Sequence, residues 1–326
     1  MTKLVTIYGG AGFVGRYIAR RMAKEGWRVR VACRRPNEAM HVKPYGVVGQ
    51  VEPVFCNIRD DASVRAAMHG ADAVVNCVGT FDAKGKNNFD AVQAEGAERI
   101  ARLSAENSVA RIVHISAIGA SDESESLYAQ TKAEGEALVL QHRPDALILR
   151  PSVIFGNEDA FFNRFAAMTR LGPVLPVIGA DTKFQPVYVD DVAQAAVKGV
   201  LGQANTGVYE LGGPEVKSFH ALMQDMLDVI QRRRLILNIP FFAAKIMAGS
   251  FSIVRALSFG LIKEPVTPDQ VRSLRVDNVV SEGAKTLADL GIKATDIESV
   301  LPEYLWPYRP SGQYAAIKDS AKNLRA

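Results

Sequence analysis

Apolar residues in the first half of the chain fall into short blocks separated by stretches of helical period. "KLVTIY" reads as a strand, and Val14, Ile18 and Met22 then recur at the spacing of a helix face. "RVRVACRR" reads as a second strand. Further strands are expected over 51–58, 73–78 and 111–116, separated by helical stretches such as "FDAVQAEGAERIARLSAEN". Strands alternating with helices predict an α/β fold with a doubly wound parallel sheet of Rossmann type, whose ligands sit at the carboxyl ends of the strands. The expected domains are a dinucleotide-binding domain over 1–155 with a return segment at 184–203, and a smaller, mostly helical C-terminal domain over 156–183 and 204–305. An extended tail is expected over 306–326.

The turn between the first strand and helix is Gly9-x-x-Gly12-x-x-Gly15, which encloses Phe13 and Val14. Gly9 permits a tight turn, Gly12 lets backbone approach a pyrophosphate, and Gly15 lets the helix pack closely on the sheet. The helix N-terminus then favours a bound anion. At the end of the second strand an acidic residue would accept bonds from a ribose 2′-hydroxyl. Arg34 and Arg35 stand there instead, with Arg16 just past the last glycine. Guanidinium forks match phosphate, so NADP(H) is expected over NAD(H), unless these arginines form only a solvated basic corner. By position, Asn57 and Ile58 of "CNIRD" fall near an adenine, and Val78 and Gly79 of "NCVG" beneath the middle of the cofactor; plain loop turns explain both nearly as well.

Tyr128 and Lys132 lie four apart on one helix face after the fifth strand, placed to meet one ligand near a nicotinamide ribose. A neighbouring ammonium lowers a phenol's pKa, so the pair suits either proton transfer or a cofactor cradle. Ser116 ends the fifth strand, and Pro151 turns the chain near the nicotinamide position. "EDAFFNRFAAMTRL" carries an apolar stripe (Phe161, Phe162, Phe165 and Met168) expected to face the core. Asp190 or Asp191 is expected to cap the helix that follows "QPVYV".

Composition narrows the classes. Hydrophobic residues are 48% and charged residues 23% of 326, as in an ordinary folded protein. A net charge of +4 is too small to argue for nucleic acid. Cys33, Cys56 and Cys77 each close an apolar run and read as buried strand-end thiols of a reducing compartment; the histidines are scattered, so no metal site is expected. With folded structure expected almost from the first residue, no signal peptide is expected, and no apolar run in the sequence is long enough to span a bilayer.

Gly9-Gly10-Ala11-Gly12-Phe13-Val14-Gly15, "NCVG", "HISAIGA" and Tyr128-Ala-Gln-Thr-Lys132 together resemble an extended short-chain dehydrogenase/reductase. That family implies Tyr128 and Lys132 as the catalytic pair of any active member. It also implies a serine or threonine donor a residue or two past the first serine of the strand end, where this chain has Ala117 and Ile118. "ACRRPNEAMHVKPYGVVGQV", "RPSVIFGNEDAFFNRFA", "GPVLPVIG" and "FQPVYVDDVAQA" narrow the resemblance to the accessory-subunit family of respiratory complex I, NADH:ubiquinone oxidoreductase. This implies a tightly held NADPH, no requirement for hydride transfer, other complex I subunits as partners, and a peripheral position on the inner face of the energy-transducing membrane. The alternative is a free-standing NADP-dependent reductase or sugar-nucleotide epimerase.

"SFHALMQDMLDVIQRR" reads as an amphipathic helix. The apolar stretch 235–262, broken by Pro240, Lys245 and Arg255, suits either a buried helical layer or a surface that meets lipid, with Arg232 to Arg234 attracting anionic headgroups. The tail over 306–326 has no core pattern and reads as frayed, or as ordering against a neighbour.

Overall fold

The computed structural model describes residues 2–81, 85–247 and 267–314. Two compact units emerge: Met1–Ser152 with Val189–Gly212 and Val280–Ala294, and Val153–Tyr188 with Gly213–Val279 and Thr295–Ala326. The first unit begins β1 (Leu4–Tyr8), α1 (Phe13–Lys24), β2 (Arg28–Cys33), β3 (Val51–Phe55), α2 (Asp61–Met68) and β4 (Ala73–Asn76). It continues through α3 (Glu95–Glu106), β5 (Arg111–Ile115), α4 (Leu127–His142) and β6 (Leu147–Pro151). The chain then contributes β7 (Ile154–Phe155), α5 (Phe162–Met168), β8 (Val174–Ile178), β9 (Lys183–Phe184) and β10 (Val187–Tyr188) to the second unit. It returns to the first as α6 (Val189–Leu201) and β11 (Gly207–Leu211), and goes on in the second as β12 (Lys217–Ser218), α7 (Phe219–Val229) and β13 (Leu235–Ile239).

As predicted, the first unit is a doubly wound α/β sheet. Its seven strands run in the order β11-β6-β5-β4-β1-β2-β3. β1 pairs in parallel with β2 on one side and β4 on the other, so strand order reverses there and a crevice opens at the carboxyl ends. β1 and β4 are buried at every position, as strands covered on both faces must be. Ile18, Ala19 and Met22 are the buried stripe of α1.

Three expectations change. Asp190 and Asp191 lie in the first turn of α6, not before it, and Asp190 accepts both ends of the Arg21 guanidinium at 2.6 Å. Pro151 does belong to a strand, as the last residue of β6 opposite Leu211, where its carbonyl accepts from Ile118 N–H at 3.0 Å. The first unit also takes in β11 and 280–294, both beyond the return segment expected over 184–203. Glu210 N–H donates to the Lys285 carbonyl at 2.8 Å and Ser281 N–H to the Glu210 carboxylate at 2.7 Å. A segment held by single bonds of this kind carries no strand or helix period to betray it.

In the second unit the aromatic stripe does face a core. Phe162 is buried, Phe161 stacks on Phe219 with centroids 5.4 Å apart, and Phe165 and Met168 pack on the same cluster. Residues 235–239, expected in a buried helical layer or a lipid-facing surface, form a strand rather than a helix, β13, which pairs in parallel with β8 and leaves three of its five positions exposed; 248–262 of the apolar stretch lie outside the described residues. The tail expectation changes over 306–314, where short helical turns form and Arg232 Nε donates to the Tyr308 carbonyl at 2.7 Å; 315–326 lie outside the described residues.

α4, which carries Tyr128 and Lys132, is fixed to the sheet by one ion pair. Buried Glu136 accepts Arg150 Nε at 2.9 Å and an Arg150 terminal nitrogen at 2.6 Å, and Glu210 stands 3.6 Å from the other. Removing one member of a buried pair strands the other's charge. Glu136→Gln is therefore expected to lower unfolding free energy by about 3 kcal/mol, read by urea denaturation; a change within a few tenths would mean that Glu210 suffices.

Candidate functional site

The turn after β1 is shaped by close approaches. Gly9 has φ +74°, and a Cβ there would sit 3.1 Å from the Cys77 carbonyl. A Cβ on Gly15 would meet the Gly9 oxygen at 2.5 Å, so only glycine lets α1 start against the turn. Gly12 occupies the N-cap of α1 and offers no capping side chain, and the first turn holds no acid. The N–H groups of Phe13, Val14 and Gly15 thus form an electropositive end suited to an anion.

Beside this turn lies a cleft of about 670 Å³, and the predicted Gly9, Gly12, Arg16, Arg34, Arg35, Asn57, Ile58, Val78 and Gly79 all line it. Ser116, Tyr128, Lys132 and Pro151 do not line it, and Phe13, Val14 and Gly15 belong to the helix end rather than the wall. Residues unremarked in the sequence complete it, among them Glu38, His41, Arg59, Thr80 and Asn87. Glu38 and His41 sit in the short helical segment after β2, and a polar turn without period gives no warning of such a position. Burial holds all three thiols up, Cys56 to about 11 and Cys77 to about 12, which keeps them neutral. Among the described residues no group of three or more His, Cys, Asp or Glu is placed to hold a metal ion.

At the basic corner the arginines differ. Arg16 donates to the Gly12 and Ala11 carbonyls at 3.3 Å, and Arg35 pairs with Glu38 at 3.1 Å, largely exposed and so weakly. Arg34 is exposed and makes no ion pair among the described residues. Glu38 is the sole acidic side chain on the cleft wall among the described residues. By partly neutralising Arg35, it leaves Arg34 as the cation most available to a phosphate at the β2 end.

The tyrosine and lysine overturn one expectation. Lys132 is 5% exposed and its ammonium donates to the Ile115 carbonyl at 3.2 Å. Burial pulls its pKa down to about 8, opposed by Glu136 and Cys77. A Cβ on Gly79 would lie 3.8 Å from that nitrogen, so the lysine reaches the rim of the cleft. Tyr128 is not acidified by it: burial pushes the phenol up to about 12. Its ring stacks on Phe81 at 5.3 Å and meets the edge of Phe89 at 5.9 Å. Desolvation is the cause of that rise, with two aromatic rings packed against the tyrosine.

Three buried polar atoms close by have no hydrogen-bond partner: Ser116 Oγ, His114 Nε2 and Gln93 Oε1. His114 Nδ1 meets Asn76 at 3.1 Å, and burial, then Lys132, pushes its pKa down to about 3, so it is neutral. An orphaned hydroxyl, a buried ammonium and an uncapped helix end are complementary to a ligand with ribose hydroxyls and a pyrophosphate. A nicotinamide dinucleotide fits this donor set.

Residues 5–212 match the family described as NAD dependent epimerase/dehydratase. The chain belongs to that family. Its relatives include NADH dehydrogenase (ubiquinone) 1 alpha subcomplex subunit 9, mitochondrial, of Arabidopsis thaliana, 34% identical over 95% of this chain and 79% of that protein. The NADH-ubiquinone oxidoreductase 40 kDa subunit, mitochondrial, of Neurospora crassa is likewise 34% identical, over 95% of this chain and 80% of its own length. Among solved structures, the dTDP-glucose 4,6-dehydratase of Bacillus anthracis, in complex with NAD, superposes with a TM-score of 0.70 at 14% identity, covering 93% of this chain and 96% of its own. At that identity the likeness is one of fold.

Two outcomes follow from the site. Lys132 has a folded pKa near 8 against 10.5 for a free lysine, so between those values the folded chain binds fewer protons than the unfolded one and gains stability as pH rises. Below pH 8 its burial costs the nucleotide-free chain about 3 kcal/mol. Lys132→Met is therefore expected to raise the melting temperature of the nucleotide-free protein at pH 7 and flatten its rise toward pH 10, while weakening nucleotide retention; an unchanged pH profile counts against this. Arg34→Ala is expected to reduce NADPH affinity about tenfold or more and leave NADH affinity within about twofold, measured by calorimetry. Equal losses for both would remove Arg34 from 2′-phosphate selection.

Proposed function

We propose that this protein is a non-catalytic NADP(H)-binding accessory subunit of respiratory complex I. It stabilises the complex near its membrane-facing quinone region and lies peripherally on the inner face of the energy-transducing membrane. The observation that carries this reading is identity of 34%, over 95% of this chain, to two proteins named as subunits of that oxidoreductase. No helix among the described residues is long and apolar enough to cross a membrane, which accords with a peripheral position. The nucleotide is held as a structural insert: Gly9, Gly12 and the first turn of α1 take the pyrophosphate, and Arg34 with Arg16 and Arg35 takes a 2′-phosphate. Asn57 and Ile58 lie by the adenine, Val78 and Gly79 beneath the middle of the nucleotide, and Ser116, Lys132 and Pro151 toward the nicotinamide.

A bound NADPH would supply a hydride at its nicotinamide ring. This chain's own residues are poorly arranged to use it. Tyr128, held near pKa 12 and covered by Phe81, is a weak proton donor, and Ala117 and Ile118 stand where an active relative carries a hydroxyl donor. The orphaned Ser116 hydroxyl, one residue past the carbonyl that Lys132 bonds, favours the second reading, a free-standing reductase or epimerase.

Separating the two takes a native gel and a cofactor assay. On the subunit reading the chain co-migrates with the membrane-bound complex, and Tyr128→Phe leaves both co-migration and nucleotide content unchanged. A chain found only free, whose NADPH is oxidised by added carbonyl compounds in a Tyr128-dependent way, would establish the enzyme instead.

A further inference from the structure

One face of the second unit joins cations that form no ion pair among the described residues to exposed leucines. Arg170 lies 4.8 Å over the Tyr308 ring and donates to the Pro307 carbonyl at 2.6 Å. Arg232 donates through Nε to the Tyr308 carbonyl at 2.7 Å, Arg234 to the Thr169 carbonyl at 2.9 Å, and Arg309 to the Val229 carbonyl at 2.9 Å. Arg233 is exposed between Arg232 and Arg234. Among the described residues none of these five guanidinium groups is ion-paired. Main-chain carbonyls fix one edge of four of them and neutralise no charge. Burial, then the charges of Arg234 and Arg170, lowers the pKa of Arg232, as expected of crowded cations. Arg232 to Arg234 also rim a hollow of about 470 Å³, where the one acid, Asp228, accepts from Gln224.

The apolar part is continuous with the arginines in sequence and in the sheet. Leu171 is 88% exposed, Leu235 65%, Leu237 50% and Val174 40%. Val174 and Leu235 are direct partners in the β8–β13 pair, and Leu237, two residues on, projects to the same side as Leu235. Exposed leucines beside uncompensated arginines match a bilayer interface, where acyl chains take the first and headgroup phosphates the second. A guanidinium fork bonds a phosphate through two N–H groups at once.

We propose that this arginine–leucine face is a docking surface for an anionic lipid bilayer. Arg170, Arg232, Arg233, Arg234 and Arg309 bind headgroup phosphates, and Leu171, Val174, Leu235 and Leu237 enter the interfacial layer. The inference rests on the subunit reading only for its setting, and names the membrane contact that reading needs.

The test is sedimentation of the full chain with vesicles of phosphatidylcholine and phosphatidylglycerol, against vesicles of phosphatidylcholine alone. Binding is expected only to the anionic vesicles and is expected to fall with added salt. Arg233→Gln removes an exposed cation that makes no side-chain bond, and is expected to weaken binding about fivefold. Leu235→Ser, on the exposed strand face, is expected to weaken it about tenfold, with circular dichroism and melting unchanged for both. No sedimentation with anionic vesicles, equal sedimentation with neutral ones, or wild-type binding by both variants overturns the proposal. Failure here with co-migration intact removes this surface alone; intact vesicle binding with lost co-migration removes the subunit reading alone.

Discussion

The first turn of α1 presents backbone N–H groups with no side chain to cap them, at the point where the sheet's strand order reverses. A helix end left this way is unfavourable unless water or an anion satisfies it. The surroundings make an anion the better partner. Gly9 and Gly15 bring the turn so close to β4 and α1 that no side chain can fill the space, and Arg16 and Arg34 add positive charge at the rim. A pyrophosphate fixed there would direct an adenosine toward β2 and β3 and a nicotinamide toward α4 and β6. The cleft opens beside this turn, and the Ser116 hydroxyl at the end of β5 is buried without a partner.

On α4, Tyr128 and Lys132 share a helix face but not an electrostatic environment. Lys132 still approaches Gly79. Tyr128 packs against Phe81 and Phe89, and its phenol is raised by burial rather than lowered by the ammonium four residues on. Helical spacing placed the two on one face correctly; what it could not convey was the dielectric around them. A buried ammonium beside a phenol that keeps its proton is compatible with a cofactor cradle, where a ribose takes donors and no proton need move.

Much of the first unit was legible from the chain. The strands over 4–8 and 73–76 are buried at every position and read as short, mostly apolar runs, the strand over 28–33 reads by alternation of arginine with buried valine, and the Gly9–Gly15 turn lies where its strand and helix neighbours required. The less legible parts share a cause. Glu38 and His41 enter the cleft from a short helical segment with no period, 280–294 joins the first unit through isolated bonds at Glu210, and 306–314 docks through arginine-to-carbonyl contacts. Each depends on one residue meeting another far along the chain. β13 misled for the opposite reason: its apolar residues read as core or helix, while three of its five positions are exposed.

The most direct measurement is the identity and amount of nucleotide released when the protein, purified in its complex, is denatured and the supernatant analysed by mass spectrometry. A cradle built on an uncapped helix end and guanidinium groups should release NADPH or NADP in near one-to-one amount with the chain. An empty chain, or one carrying NAD(H), would contradict it.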